Sequence, residues 1–96
     1  MACYIVLCNF TDQGIRAVKN TVSRANAAKE SASKFGVNMK EIYWTEGPYD
    51  IVTVLEANDE QSVLAFGLAL GSLGNVKTQT LRAFTGDEMS AILKKI

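Results

Sequence analysis

The sequence contains no histidine, and this absence excludes more chemistry than any other feature of its composition. Without histidine there is no Ser-His-Asp or Cys-His activation of a nucleophile, no histidine-ligated zinc and no proximal histidine for haem. Neither a GxGxxG nor a P-loop pattern occurs, so no phosphate-binding loop is indicated. We therefore predict no metal site and no cofactor.

Cysteine is also scarce, since the chain has only two, Cys3 and Cys8. They lie five positions apart in one predicted strand, so their side chains point to opposite faces and cannot form a disulfide with each other. Neither has a further cysteine or a histidine at metal-ligand spacing. We interpret both as small apolar strand residues, with a reactive thiol at Cys8 as the alternative.

The chain has no excess of charge and no long apolar run. Ten basic residues balance ten acidic residues, and the longest basic run is Lys94-Lys95, so we expect no nucleic-acid partner. No run approaches the roughly 20 apolar residues of a membrane span, and the first three residues do not resemble a signal peptide. We expect a cytoplasmic protein without a membrane partner.

What the sequence does contain is a regular alternation of strand and helix patterns in one domain, 1–96, of which 48% is apolar. Strands are predicted at 2–10, 38–46, 50–57 and 76–84. Helices are predicted after Thr11 up to Gly36, with a bend or restart at 20–23, then from 59 to about 73, and from Thr85, which with Glu88 forms a capping box. The order β-α-β-β-α-β plus a last helix predicts an α+β, ferredoxin-like protomer.

Both faces of the predicted sheet are apolar. The first strand places Tyr4, Val6, Cys8 and Phe10 on one face and Cys3, Ile5, Leu7 and Asn9 on the other. A sheet with one face in water alternates apolar and polar residues, and two helices cover only one face. We therefore expect a second copy of the chain on the other face, giving a homodimer or a higher homo-oligomer.

The helix predicted over 59–73 is apolar around most of its circumference. Such a helix is buried on more than one side. We expect it to lie between the sheet and the C-terminal helix, with a further oligomer contact as the alternative.

The segment 43–50, Tyr-Trp-Thr-Glu-Gly-Pro-Tyr-Asp, combines aromatic residues, two carboxylates and a Gly-Pro turn. We predict a tight hairpin in which Gly47 is structural: if its φ is positive, a β-branched residue there distorts the turn. Tyr43 or Asp50 could act as an acid or base if burial shifted its pKa. The alternatives are that Asp50 organises the hairpin by accepting backbone N–H groups, and that Trp44 and Tyr49 pack a core or an interface.

Polar residues also recur on the last predicted strand, where Thr78, Thr80 and Arg82 share one face. If the partner copy covers that face, they form a polar patch in an apolar enclosure, and Arg82 suits a carboxylate or an enolate. The alternatives are ordinary strand threonines and an Arg82 salt bridge to Asp50 or Glu46. We place Asp50 and Arg82 at the same end of the sheet and expect Arg24, on a helix surface, to be solvated. The candidate ligand-binding residues are Tyr43, Tyr49, Asp50, Thr80 and Arg82, and the catalytic candidates are Tyr43, Asp50 and Arg82.

Several of these stretches together resemble the GYD-domain family. The resemblance lies in 4–7, Tyr-Ile-Val-Leu, in 9–16, Asn-Phe-Thr-Asp-Gln-Gly-Ile-Arg, in 43–50 with Gly47, Tyr49 and Asp50 as the Gly-x-Tyr-Asp motif, and in 70–76 and 80–85. The segment 20–23 departs from the family in lacking a proline. The resemblance implies a dimeric α+β barrel, and it implies no particular reaction.

Three hypotheses follow for function. The first is a small homo-oligomeric protein that binds a small, partly apolar molecule in the dimeric barrel. The second is a cofactor-independent oxygenase or isomerase that uses Tyr43, Asp50 and Arg82. The third is a structural or assembly module whose interior is filled by side chains.

Overall fold

The computed structural model describes all residues from 1 to 96 as one four-stranded sheet with helices. The strands are β1 (Ala2–Phe10), β2 (Val37–Trp44), β3 (Ile51–Ala57) and β4 (Val76–Ala83). The helices are α1 (Asp12–Arg16), α2 (Thr21–Lys34), α3 (Glu60–Ser72) and α4 (Gly86–Leu93), with a 3₁₀ turn (Val18–Asn20) between α1 and α2.

The strands lie in the order β2-β3-β1-β4, and each neighbouring pair is antiparallel. This arrangement confirms the predicted α+β, ferredoxin-like fold. The predicted strand bounds differ from those in the structure by no more than two residues.

The first predicted helix is interrupted, as the poor helix formers at 20–23 indicated. The Thr11 side chain caps α1 by accepting a hydrogen bond from the Gly14 N–H, and α2 begins only after the 3₁₀ turn. Gly36 follows α2 with a φ of 76°, a left-handed conformation that suits glycine at the end of a helix.

The core lies between the sheet and the helices, on the side we call the helix face. Tyr4, Val6 and Cys8 of β1 point into it together with Leu55 of β3, while Phe66 enters from α3. Only 13 of the 96 residues are buried. Because this core is small, many large apolar side chains remain in solvent.

The outer side of α3 is one of these exposed regions, which corrects the expectation that the C-terminal helix covers it. Leu64 and Leu68 are 64% and 66% exposed, and α4 lies elsewhere. The capping box at the start of α4 is confirmed: Thr85 accepts a hydrogen bond from the Glu88 N–H, and the Glu88 side chain accepts one from the Thr85 N–H. The Thr85 N–H holds the pKa of Glu88 below its ordinary value.

No helix of this structure is long and apolar enough to cross a lipid bilayer.

The β2–β3 hairpin turns at Gly47, whose φ of 105° is positive and so meets the condition for its structural role. A β-branched residue is strained at such a φ, so we expect Gly47→Val to lower the free energy of unfolding by about 1–3 kcal/mol. Urea denaturation followed by circular dichroism measures this loss. No neighbouring atom lies within 4 Å of a Cβ built on Gly47, so the loss would come from the backbone alone. Gly47→Asn, with a side chain that tolerates positive φ, should lose less; equal losses would refute the backbone explanation.

Candidate functional site

The sheet face that points away from the helices has an apolar centre and no cover. Residues opposite each other in an antiparallel ladder share a face, and the ladders therefore define this surface, which we call the open sheet face. Its apolar centre is formed by Ile5, Leu7, Val52, Val54 and Leu81. None of these five side chains is buried within the single chain, and Leu81 is 48% exposed.

Two tyrosines lie on the open sheet face. Tyr43 pairs with Val52 and is 56% exposed, and its hydroxyl donates a hydrogen bond to a Glu41 carboxylate oxygen at 3.1 Å. That bond and the negative charge of Glu41 raise the pKa of Tyr43. The Tyr49 hydroxyl donates to the side-chain oxygen of Gln79 at 3.3 Å, on the far strand β4. The two tyrosines therefore add polar groups to an otherwise apolar surface.

Asp50 links the hairpin to the neighbouring strand. Its carboxylate accepts a hydrogen bond from the Phe10 N–H at 2.9 Å, and its own N–H donates to the Cys8 carbonyl at 2.9 Å. Its carbonyl accepts from the Thr45 N–H. This geometry agrees with the organising role proposed from sequence, although the N–H that the carboxylate binds belongs to β1 rather than to the hairpin.

We expect Asp50→Asn to reduce stability modestly, by about 1 kcal/mol, because a neutral amide accepts the Phe10 N–H more weakly than a carboxylate does. Thermal denaturation at neutral pH measures this loss. Asp87→Asn, at an exposed position in the first turn of α4, is the matched control and should change stability less. Equal effects for the two variants would exclude a special role for the Asp50–Phe10 bond.

Arg82 and Thr80 lie on the opposite face from the tyrosines. In the β1–β4 ladder Arg82 is opposite Tyr4 and Thr80 is opposite Val6, and both partners are core residues of the helix face. Arg82 is also six β1 positions away from the Phe10 N–H that binds Asp50, which is about 20 Å along a strand. The expectation that Asp50 and Arg82 share one end of the sheet is therefore wrong.

The contacts of Arg82 explain this position. Its guanidinium donates to the carbonyls of Cys3 and Ala83, stacks 4.3 Å from the ring centroid of Phe84, and lies 3.6 Å from the Glu88 carboxylate. The salt bridge to Asp50 or Glu46 that was the alternative for Arg82 does not form, because its acidic partner is Glu88 of α4. The structure thus does not bring Tyr43, Asp50 and Arg82 together, nor does it join Thr80 and Arg82 to the tyrosines.

A cleft of about 570 Å³ opens on the helix face between α2, α3 and the sheet. Most of its 20 lining residues are apolar, among them Phe35, Met39, Ile42, Phe66 and Leu70. Sequence reasoning missed it. The cleft exists because small residues of α2 and α3 line it, including Ala25, Ala28 and Ala69. The alanine-rich sequence of α2 was the feature from which the cleft could have been predicted.

Two residues of the cleft were considered from sequence. Burial raises the pKa of Cys8 to about 11, so its thiol stays protonated at neutral pH and the reactive-thiol alternative gains no support. Arg24 is half-buried rather than solvated, because its guanidinium donates to the carbonyls of Ala17 at 2.9 Å and Gly14 at 3.2 Å. Arg24 therefore closes the end of α1 and places a positive charge at the cleft.

Of the remaining sequence candidates, Trp44 donates from its indole nitrogen to the Thr21 hydroxyl at 3.0 Å and so joins β2 to α2. Thr78 lies opposite Cys8 on the helix face, where it approaches Gly67 of α3. No group of three or more histidine, cysteine, aspartate or glutamate residues lies at metal-binding distances.

Known proteins are similar to this chain over nearly its whole length. Residues 4–93 match the family model described as the GYD domain. The chain is 40% identical over 95 residues to the glutamine synthetase and cystathionine beta-lyase binding protein of Thermus thermophilus, covering 98% of this chain and 100% of that protein. The crystal structure of TTHA0845 from Thermus thermophilus covers 90% of this chain and 96% of its own, with 25% identity and a TM-score of 0.58.

Proposed function

Since the chain belongs to the GYD-domain family, we propose that it is a non-catalytic binding protein that self-associates through the open sheet face and binds an enzyme as its partner. The observation that carries the proposal is the uncovered apolar centre of that face. A protein-binding role is further supported by the relative named for binding glutamine synthetase and cystathionine beta-lyase.

The size of the open sheet face fits a homodimer. Four strands about 4.8 Å apart, each with about eight residues at 3.3 Å, span roughly 500 Å² per copy. Two such faces bury about 1,000 Å², which is the lower limit for a specific interface. The polar groups of Tyr43 and Tyr49 are then enclosed by the dimer, while Thr80 and Arg82 remain on the helix face.

Partner binding is tested with purified glutamine synthetase and cystathionine beta-lyase from the source organism, each passed over the immobilised chain. We expect one of the two enzymes to bind at micromolar concentrations. An unrelated enzyme of similar size is the negative control and should not bind. Absence of binding by both enzymes would refute the partner class and leave the self-association proposal to its own test.

A second candidate function, the binding of a small partly apolar anion, is favoured by the helix-face cleft. Its volume of about 570 Å³ lies within the range of about 300–1,000 Å³ for small-molecule sites, and Arg24 supplies a positive charge at its lining. From sequence, the small-molecule site is predicted inside the barrel and includes Thr80 and Arg82. Both residues lie on the helix face, so they are not part of the open sheet face that would line such a barrel.

Filling the cleft tests this second candidate. Ala28→Trp should weaken the binding of an apolar anionic dye, anilinonaphthalene sulfonate, by more than about tenfold, because the indole occupies the space of the ligand. Ala91→Trp, on the exposed surface of α4, is the matched control and should leave dye binding unchanged. Equal binding by both variants would exclude the cleft as the site. Native mass spectrometry of freshly purified protein reports whether a natural molecule is retained.

The enzyme hypothesis receives no support from the arrangement of its candidates, since Arg82 lies at the other end of the sheet from Asp50 and on the other face from Tyr43. A purely structural module stays the alternative if both the enzyme partners and the dye fail to bind.

A further inference from the structure

The C-terminal helix carries an apolar stripe that lies largely in solvent. Met89 and Leu93 are 46% and 54% exposed, and Ile96, just beyond α4, is 98% exposed. The side of α4 that faces its own chain is a different one, formed by the half-buried Glu88 and Ile92. The stripe is therefore available to another surface.

A matching stripe lies on α3. Leu64 and Leu68 are each about two-thirds exposed, while Val63 and Phe66 of the same helix are buried against the sheet. Both stripes pair residues four apart, which stand one above the other at about 5–6 Å on a helix surface. The two stripes therefore have the same length and spacing.

We propose that α4 of one copy packs antiparallel on the outer side of α3 of a second copy. In this register Leu93 lies against Leu64 and Met89 lies against Leu68.

Charge selects the antiparallel direction. Asp59 and Glu60 stand at the start of α3, and Lys94 and Lys95 follow the end of α4. Antiparallel packing places these lysines beside the carboxylates and opposes the two helix dipoles, both of which are favourable. Parallel packing would instead place Asp87 beside Asp59 and Glu60, which is repulsive.

The attachment of α4 indicates a second copy rather than its own chain. Arg82 holds Glu88 at the end of β4, and the capping box fixes the first turn of α4. In this position α4 makes few contacts with the rest of the chain, and the molecule is 48 Å long but only 17 Å thick. If two copies exchange their α4 helices reciprocally, the contact closes with two-fold symmetry.

This contact is independent of the proposed function, because α3 lies on the helix face and the open sheet face lies on the other side of the sheet. A chain with both contacts assembles beyond a dimer. Loss of one contact leaves the other, so their tests give separate answers.

Disulfide trapping between two differently tagged, co-expressed copies tests the contact. All copies carry Cys3→Ser, and Cys8 is retained because it is buried. One copy carries Leu64→Cys and the other Leu93→Cys, and diamide supplies the oxidant. The matched control replaces Leu93→Cys with Ala91→Cys, which is also exposed but lies on the opposite side of α4.

We expect the Leu64→Cys and Leu93→Cys pair to form at least about tenfold more disulfide between copies than the Ala91→Cys control, because only facing cysteines reach bonding geometry. The pair Leu68→Cys and Met89→Cys should behave likewise, and the parallel pair Leu64→Cys and Met89→Cys should not. Two results would overturn the proposal: equal trapping in the control, or preferential trapping of the parallel pair.

Discussion

Replacing Gly14 with alanine is expected to lower the free energy of unfolding by about 3 kcal/mol, at the upper end of what overpacking usually causes. A Cβ built on Gly14 meets the carbonyl oxygen of Asn75 at 2.0 Å. The obstacle is backbone, so no flexible side chain can move aside. Chemical denaturation monitored by circular dichroism gives the difference directly.

The loop that holds this carbonyl cannot retreat easily. Thr11 fixes it with two hydrogen bonds, one from its N–H to the Asn75 carbonyl at 3.1 Å and one from its hydroxyl to the Gly74 carbonyl. The Gln13 side chain adds bonds to the Leu73 carbonyl and to the Asn75 side chain. The start of α1 and the turn before β4 are thus one joined unit, which a methyl group at Gly14 would separate.

Gly86→Ala provides the matched control. Gly86 also lies in the first turn of a helix, but nothing lies within 4 Å of a Cβ built on it. Alanine there should leave stability unchanged or raise it by about 0.5–1 kcal/mol through the entropy of the unfolded chain. If Gly14→Ala left stability as unchanged as Gly86→Ala, the prediction would be wrong. The Asn75 carbonyl could then move away from Gly14 despite the hydrogen bonds of this loop to Thr11 and Gln13.

The order and faces of the elements could be predicted because they depend on local patterns. The alternation of side chains in β1 correctly placed Cys3 and Cys8 on opposite faces of the sheet. The capping box of Thr85 and Glu88 correctly predicted where the last helix begins. The same local reasoning identified Gly47 as a structural residue of the hairpin turn, where its φ is positive. These features need only neighbouring residues along the chain.

The grouping of candidate side chains could not be predicted, because it depends on the register between strands distant in sequence. Thr80 and Arg82 share a face by alternation, but only pairing with Val6 and Tyr4 assigns that face to the helices. A shift of one residue would have placed them with Tyr43 instead. The burial of Arg24 could not be predicted for a similar reason. Its guanidinium binds the carbonyls of Gly14 and Ala17 at the end of α1, and these lie within its reach only because the helix is interrupted at 17–20.

The largest effect on assembly is expected from Val54→Asp. Val54 lies at the centre of the open sheet face, between Ile5 of β1 and Glu41 of β2, and it is only half-buried in the single chain. A carboxylate there keeps its water in the monomer but loses it in a face-to-face dimer, where two-fold symmetry brings two such groups into one interface. We expect the dimer dissociation constant to rise at least about 100-fold, or about 2.7 kcal/mol.

Sedimentation equilibrium measures the change. The unaltered chain should sediment at a multiple of its monomer mass of 10.4 kDa, and the variant should move toward that mass at the same concentration. Val22→Asp, the same replacement on the exposed side of α2, is the control for a general effect of one added charge. Because Val54 points away from the core, circular dichroism of the Val54→Asp variant should still show a folded protein. A variant that keeps the full mass of the unaltered assembly would refute the open sheet face as an interface, whereas a variant that unfolds would mean that the single chain depends on its partner to fold.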